Sequence, residues 1–195
     1  MSTGFPRAAK ASRWPALLDA AAARFAEQGY HATTIRELAA ATDMTPGAIY
    51  FHVLNKQALL LAVYQEGVQR IVDRVERATD RSRDPWERLA SAVEAHLEAI
   101  LDASAYARVV IRILPDDVPE IAGELTRLRD CYEQRFRELI AQVKLPENVT
   151  PKLARLFLLG ALNWTPVWYR PGGASIREIA REALAPLQAA AGERA

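Results

Sequence analysis

The sequence has 195 residues and a formal net charge of only +1 at pH 7, so its overall charge gives no sign of a nucleic-acid partner. Half of its residues are hydrophobic, strand-like alternating runs are hard to find, and the composition predicts an all-α fold of about nine helices. The single cysteine, Cys131, excludes an internal disulfide, and the absence of a signal-like block or an apolar run of about 20 residues predicts a cytoplasmic protein.

The first predicted helix runs from Trp14 to Gln28, where apolar residues recur at helical spacing until Gly29 ends the pattern. Residues 1–12 precede it and carry Arg7 and Lys10 without any acidic residue. Two interpretations of this segment stay open. It is either a solvated, flexible end or a basic arm that lies on DNA phosphates.

Two short helices follow, and both have a start signal. Thr34 and Glu37 form a capping box, so a helix should run from there to about Ala41. Residues 42–44 then make a turn, and Thr45 with Pro46 begins a helix to about Phe51. Two short helices joined by such a turn have the dimensions of a helix-turn-helix, which predicts a DNA-binding domain at 13–56.

The second of these helices should lie in the major groove, because its first residues, 45–48, are small enough for close approach. Ile49 should point into the core of the domain. Tyr50, His52 and Lys56 follow at spacings that suit contacts with phosphates. Tyr50 packing half-buried, and His52 acting as an ordinary surface or capping residue, are the alternatives.

Residues 17–30, 33–39 and 46–52, together with Lys56, resemble the DNA-binding domain of the TetR family of regulators along its whole length. The resemblance implies that Thr34, Tyr50 and Lys56 contact phosphates and that residues 45–48 touch base edges. The full set of predicted DNA contacts is Thr34, Arg36, Thr45, Pro46, Gly47, Ala48, Tyr50, His52 and Lys56.

Residues 57–195 are predicted to form a helical body for ligand binding and dimerisation. Asn55 should cap a helix from Lys56 to about Thr79, and Ser175 with Glu178 should open the last helix. The helices between them are expected at 85–103, from there to about 114, at 120–144, and from Pro151, after a Thr150 cap, through Trp164.

The helix at 151–164 is apolar on all sides, so it must be buried on all sides. The alternatives are the central strut of a monomer and a helix that packs on its own core and on a second subunit. The family resemblance favours the second and implies a homodimer with two DNA-binding domains for a palindromic operator. The predicted interface consists of Leu158, Leu159, Leu162, Ile176, Ile179, Ala183 and Leu187.

An aromatic and polar cluster at Asn163, Trp164, Trp168, Tyr169 and Arg170 is either plain core or part of a ligand cavity. It resembles the C-terminal part of TetR regulators that respond to acyl-CoA thioesters. That resemblance implies an acyl-CoA inducer, whose binding shifts the dimer towards a state that releases DNA. An efflux regulator that senses aromatic or cationic compounds is the alternative. The acyl chain is then expected against Leu97, Leu101, Ile111 and Trp164, and Arg108, Arg112 or Arg170 is expected to face the phosphates or the thioester.

Catalysis, a metal site and a cofactor are not expected. His31, His52 and His96 lack metal-ligand spacing, and no glycine-rich phosphate loop is present. A helical protein-interaction module is the remaining alternative class. Such a module would lack the salt-dependent DNA affinity that a regulator must have.

Overall fold

The computed structural model describes residues 13–80, 82–102 and 104–192, and in this part of the chain all regular structure is helical. The all-α prediction is therefore confirmed. The predicted basic arm at 1–12 lies outside the described residues. Within the described ranges, no helix combines the length and the hydropathy needed to cross a membrane. The α-helices are α1 Trp14–Gln28, α2 Ile35–Ala41, α3 Pro46–His52, α4 Lys56–Thr79, α5 Pro85–Leu101, α6 Ala105–Arg112, α7 Ala122–Gln142, α8 Pro151–Trp168 and α9 Ile176–Gly192, with short 3-10 helices at Pro115–Asp117 and Pro119–Ile121.

Capping side chains set the starts of the short helices. The backbone N–H of Glu37 donates to the Thr34 hydroxyl at 3.2 Å, and the N–H of Thr34 donates to the Glu37 carboxylate at 2.7 Å. Thr45 and Asn55 accept in the same way at the starts of α3 and α4. These starts were predicted correctly. Thr150 precedes α8 in an extended conformation but makes no side-chain cap bond, contrary to the prediction.

Helix α8 is longer than the sequence suggested. It continues past Trp164 to Trp168, with Pro166 inside it, and the N–H of Tyr169 still donates to the Thr165 carbonyl at 2.9 Å. A proline removes its own N–H from the helical pattern and its ring crowds the carbonyl one turn earlier, but the next turn can still form when packing supports it. Thr165 is 1% exposed, which shows that this turn is packed against the protein.

Two hydrophobic clusters hold the chain together. The first joins α1–α3, which we call the head, to the first half of α4 and to α6 and the start of α7. The second joins the end of α4 to α5, the C-terminal half of α7, α8 and α9. We call α4–α9 the body. Because Leu59 and Leu60 of α4 pack in the same cluster as Phe25 and Leu38, the head sits directly on the body.

Helices α4 and α6 approach each other closely at Gly67. A Cβ atom at this position would lie 2.7 Å from Val110 Cγ2 and 3.0 Å from the Tyr106 carbonyl oxygen. Because glycine has no side chain, α4 and α6 can pack this closely. Both helices contribute to the first hydrophobic cluster, which joins the body to the head.

Candidate DNA-binding surface and ligand cavity

The helix-turn-helix is fixed from inside by Ile49, which is fully buried on α3, and by Leu38 on α2. The turn between the helices places Asp43 in the left-handed region at φ 53°. The Met44 N–H donates to the Ala39 carbonyl at 2.9 Å, and the Arg13 guanidinium donates to the Asp43 carbonyl. The angle between α2 and α3 is thus held by backbone as well as side-chain contacts.

The opposite side of α3 is open. Thr45, Pro46, Gly47 and Tyr50 are exposed, and Ala48 is half-buried. A Cβ at Gly47 would meet only the Thr45 hydroxyl oxygen, at 4.0 Å, so the fold itself does not require glycine here. Thr34 and Arg36 are exposed at the start of α2. This arrangement suits close approach of a duplex to the first turn of α3, with flanking contacts from α2.

His52 is also exposed, but its ring stacks on Trp14 of α1 with a centroid distance of 5.8 Å and an interplanar angle of 29°. The histidine therefore links the end of α3 to the start of α1. Contact of its exposed edge with a phosphate stays a prediction.

Lys56 differs from the expectation of a free phosphate contact. Its ammonium group donates to the carbonyl oxygens of Thr33 at 2.9 Å, Tyr30 at 3.0 Å and His31 at 3.4 Å. It also lies 4.3 Å from the centre of the Tyr30 ring, and burial lowers its pKa. Since an ammonium group has three hydrogens to donate, Lys56 is occupied in fastening the loop between α1 and α2 to the start of α4.

A cavity of about 750 Å³ lies in the body among α4, α5, α6, α7 and α8. This volume is in the range of small-molecule sites in proteins. The lining residues are Tyr64, Val68, Ile71, His96, Ile100, Val110, Ile111, Arg112, Leu114, Arg129, Tyr132, Glu133, Leu159, Gly160, Asn163, Trp164, Pro166 and Val167.

Four of the predicted ligand contacts, Ile111, Arg112, Asn163 and Trp164, line this cavity. The others do not. Leu97 and Leu101 pack in the second hydrophobic cluster, Arg108 is half-buried on α6, and Trp168 lines a shallow groove between α8 and α9. Tyr169 is half-buried just after α8, and Arg170 donates to its carbonyl at 2.8 Å. The additional turn of α8 carries Trp168–Arg170 beyond this cavity, contrary to the expectation that they line it with Trp164.

The cavity wall contains a buried polar pair that sequence reasoning missed. The Tyr132 hydroxyl is hydrogen-bonded to Nδ1 of His96, and the two rings stack at 5.7 Å. His96 is 1% exposed. Burial lowers the pKa of His96 to about 4, while Asn163 raises it to a smaller extent. The sequence did hold a signal, because His96 lies at helical spacing between Ala92 and Ile100 on the apolar stripe of α5.

Charged groups of the cavity favour an anion. Glu133 lines it but is paired with Arg155, which is 6% exposed. Arg112 and Arg129 also line it, and within the described residues neither forms an ion pair with a carboxylate. The acid is paired, whereas the positive charges of Arg112 and Arg129 are not balanced by a carboxylate, although Arg112 also donates to the Ala26 carbonyl and Arg129 interacts with the Tyr64 hydroxyl.

The exposed face of α8 is not the one expected. Leu158, Leu159 and Leu162 are at most 4% exposed and pack inside the protomer, so the prediction that they face a second subunit is wrong. The open apolar stripe consists instead of Leu153, Leu156, Phe157, Trp164, Val167 and Trp168. Beside it on α9, Ile176, Ile179, Ala183 and Leu187 are half-buried. Counting apolar residues could not decide which side of an all-apolar helix faces outward.

Helix α6 connects the cavity to the head. The Arg112 side chain lines the cavity, and its guanidinium donates to the Ala26 carbonyl of α1 at 3.4 Å. The Tyr106 hydroxyl donates to the Asp19 carboxylate of α1 at 2.8 Å. In the segment that follows α6, the Asp117 carbonyl oxygen lies 2.9 Å from Nε2 of His31. Movement of α6 would therefore be transmitted to the head.

A helix-turn-helix head on a helical body that encloses a ligand-sized cavity defines the class of ligand-responsive transcriptional regulators. Comparison with known protein families shows which family within this class the chain matches. Residues 17–63 match the family described as "Bacterial regulatory proteins, tetR family", and residues 82–188 match "Tetracyclin repressor-like, C-terminal domain". The chain belongs to the TetR family.

Individual relatives extend over most of the chain. The HTH-type transcriptional repressor KstR2 of Mycolicibacterium smegmatis is 28% identical over 186 residues, which cover 90% of this chain and 88% of the relative. The structure of AibR in complex with isovaleryl coenzyme A and operator DNA has a TM-score of 0.74 at 23% identity, and the match covers 89% of this chain and 96% of AibR. The Bacillus subtilis regulator FadR in complex with stearoyl-CoA has a TM-score of 0.75 at 20% identity, covering 89% and 97%. The two structures have the same fold as this chain.

Proposed function

We propose that this protein is a cytoplasmic transcriptional repressor that binds operator DNA through α2 and α3 and leaves it when an acyl-CoA thioester occupies the body cavity. The observation that carries this proposal is Arg112, which lines the cavity and donates to the backbone of α1 in the head. A ligand that changes the position of this side chain changes the contact between body and head. The protein acts as a regulator and not as an enzyme.

The head supplies the DNA contacts. In this proposal residues 45–48 in the first turn of α3 contact base edges, and the exposed Thr34, Arg36 and Tyr50 contact phosphates. Lys56 supports this surface from behind through its bonds to the α1–α2 loop. The charge of the chain as a whole is close to neutral, so the attraction to DNA must come from this local surface.

An acyl-CoA suits the cavity because the two chemical parts of the ligand have counterparts there. Apolar residues of α4, α5 and α8, such as Val68, Ile100 and Leu159, can bury an acyl group. Arg112 and Arg129 can hold phosphate groups. AibR and FadR have the same fold and were crystallised with isovaleryl coenzyme A and stearoyl-CoA.

The repressor acts as a homodimer. The open stripe on α8 presents Phe157, 76% exposed, and Trp164, 63% exposed, beside the half-buried residues of α9. A contiguous apolar surface of this kind is usual at a subunit interface. A two-fold dimer through α8 and α9 provides two heads, which then read the two halves of a palindromic operator.

A cationic or aromatic inducer of an efflux system is the second candidate, and the charges oppose it. Binding of a cation needs an unpaired acid, but Glu133 in the cavity wall is already paired with Arg155. Arg112 and Arg129 would in addition repel the cation.

The test is fluorescence anisotropy with the DNA that flanks the gene, at two salt concentrations, with and without acyl-CoAs from short to long chains. We expect specific binding that weakens steeply with salt and that an acyl-CoA weakens by about 5–150-fold. Specific binding that every acyl-CoA leaves intact would contradict the ligand. Absence of specific binding to this DNA and to genomic fragments would contradict the repressor itself.

A pair of arginine variants locates the ligand. Arg129→Ala removes a charge from the cavity wall, whereas Arg170→Ala removes one that lies outside it and bonds to the end of α8. We expect the first variant to weaken acyl-CoA binding about tenfold or more, because it removes a charge-assisted hydrogen bond. The second should bind the ligand like the unmodified protein.

A further inference from the structure

The polar pair in the cavity wall leaves one hydrogen-bonding atom unused. His96 Nδ1 is bonded to the Tyr132 hydroxyl, but Nε2 is buried, and in the part of the chain that the structure describes no group meets hydrogen-bond geometry with it. The Asn163 side chain interacts with the imidazole without reaching that geometry. The side chain lines the cavity, as do Tyr132 and Asn163. Buried polar atoms in proteins nearly always have a partner, so an unpaired one in a cavity wall indicates a group that a ligand supplies.

The hydrogen bond to Tyr132 decides what this atom can offer. If the tyrosine hydroxyl donates to Nδ1, the proton of the neutral imidazole is on Nε2, and only that N–H lacks a partner. If Nδ1 donated instead, both the tyrosine O–H and the Nε2 lone pair would lack partners. The first arrangement leaves fewer buried groups unsatisfied. Burial holds the imidazole neutral and raises the pKa of Tyr132, so the hydroxyl keeps its proton.

We propose that the Nε2–H of His96 donates a hydrogen bond to a carbonyl or hydroxyl oxygen of the ligand. Tyr132 is then a positioning residue that holds the imidazole in the required tautomer. Asn163 lines the cavity beside His96 and can share the same oxygen through its amide. This inference rests on the proposed function and refines it: the ligand must carry an oxygen acceptor where it meets α5 and α7.

Two oxygens of an acyl-CoA can serve as the acceptor, and three probes distinguish them. Octanoyl-CoA has only the thioester carbonyl in its acyl part, S-octyl-CoA has none, and 3-oxo-octanoyl-CoA has a second carbonyl on the chain. If His96 binds the thioester oxygen, octanoyl-CoA binds about tenfold more tightly than S-octyl-CoA. If it binds a chain oxygen, those two are equal and the 3-oxo compound binds more tightly than both.

The variants must remove the hydrogen bond without leaving a buried polar group that lacks a hydrogen-bond partner. His96→Phe alone strands the Tyr132 hydroxyl, so the double variant H96F with Y132F is the main one, since it keeps both rings. We expect the preference among the three probes to disappear in the double variant. Tyr132→Phe alone, which frees the tautomer but keeps both nitrogens of His96, should lose only part of the preference. A double variant with the same preference as the unmodified protein would overturn the proposal.

A measurement without CoA separates this inference from the proposed function. In protein labelled with ¹⁵N-histidine there are three histidines, and His31 and His52 in the head serve as references. We expect the NMR spectrum to show the proton of His96 on Nε2 and to show this signal moving when 2-nonanone, a simple ketone, is added. A response to 2-nonanone without binding of any acyl-CoA would reject the acyl-CoA and keep the role of His96. A proton on Nδ1, or a signal that neither 2-nonanone nor octanoyl-CoA moves, would reject the role of His96.

Discussion

Tyr106 of α6 donates its phenolic proton to the carboxylate of Asp19 in α1 at 2.8 Å, across 87 positions of sequence. The Arg70 guanidinium of α4 lies 4.0 Å from the centre of the Tyr106 ring and is paired with Glu66. Burial and the nearby Asp19 raise the pKa of Tyr106, so the hydroxyl stays protonated. One side chain of the body is thus joined to the head by its hydroxyl and to α4 by its ring.

Tyr106→Phe removes only the hydroxyl and keeps the ring against Arg70. We expect the free energy of unfolding to fall by about 1–2 kcal/mol, at the low end for loss of a hydrogen bond to a charged acceptor because Asp19 is exposed to solvent. Urea unfolding measures this change. The factor by which an acyl-CoA weakens operator binding should fall too, because one of the bonds between α6 and α1 is lost. Tyr169→Phe, just after α8, is the control, and equal effects of the two variants would contradict this role.

Gly67→Ala tests the close packing of α4 on α6. The new methyl group would meet Val110 at 2.7 Å and the Tyr106 backbone at 3.0 Å, so the two helices must move apart. We expect a net loss of about 1–2 kcal/mol, since overpacking outweighs the better helix propensity of alanine. Thermal unfolding checks it. Gly123→Ala on α7, where nothing lies within 4 Å of the added atom, should cause no loss.

Lys56→Met tests whether this lysine contacts DNA or supports the head. Its ammonium group is occupied by three carbonyl oxygens, so the variant should weaken operator binding without changing its salt dependence. Loss of a phosphate contact would instead reduce the slope of log affinity against log salt by about 0.9. Arg36→Ala, which removes an exposed charge from α2, should show that reduction. Anisotropy titrations at four salt concentrations distinguish the two results.

His96 should make the protein sensitive to mild acid. Its pKa is about 4 when folded and 6.5 when exposed, so between these values the unfolded chain binds the additional proton. Stability is therefore full above pH 6.5 and falls as the pH drops towards 4, by about 3 kcal/mol in total. Urea unfolding as a function of pH measures it. The H96F/Y132F double variant should lose less stability over this range, and an identical decline would contradict the prediction.

The lowered pKa values of Glu37 and Glu178 affect the stability of the protein in a different pH range. Each carboxylate accepts bonds from the threonine or serine of its capping box, which lower its pKa below 4.5. Their contribution is present above pH 4.5 and lost below it. Comparison of the double variant with the unmodified protein above pH 4.5 therefore isolates His96.

Phe157→Glu should convert the dimer into monomers, because it places a charge in the middle of the open apolar stripe of α8. Sedimentation velocity measures the mass. Phe51→Glu makes the same change at a still more exposed phenylalanine in the head and should leave the dimer intact. A Phe157→Glu variant that remains dimeric would place the interface elsewhere.

Local signals explain why the head could be predicted from the sequence. Thr34, Thr45 and Asn55 act on backbone groups three residues away, so their effect needs no knowledge of the rest of the fold. The cavity was predicted only in part. Ile111 and Trp164 line it, but the sequence could not show that α8 continues through Pro166 and carries Trp168 away from it.

The larger differences between the sequence predictions and the structure concern which side of a helix is buried and which residues far apart in sequence are in contact. Leu158 and Phe157 are adjacent and equally apolar, yet one is buried and the other is open, because α5, α7 and α9 pack on one side of α8 only. Lys56 looked like a free charge because the carbonyl groups it binds lie 23 to 26 positions earlier. His96 and Tyr132, 36 positions apart, gave no joint signal.

Gly160 and Trp164 belong both to the cavity wall and to the exposed side of α8. A second subunit that binds this stripe covers one side of the cavity. The rate at which the ligand exchanges then depends on the rate at which the subunits separate. Dilution of the protein should then shorten the residence time of the inducer as protomers separate. The duration of derepression would depend on how much repressor the cell contains as well as on the affinity of the ligand.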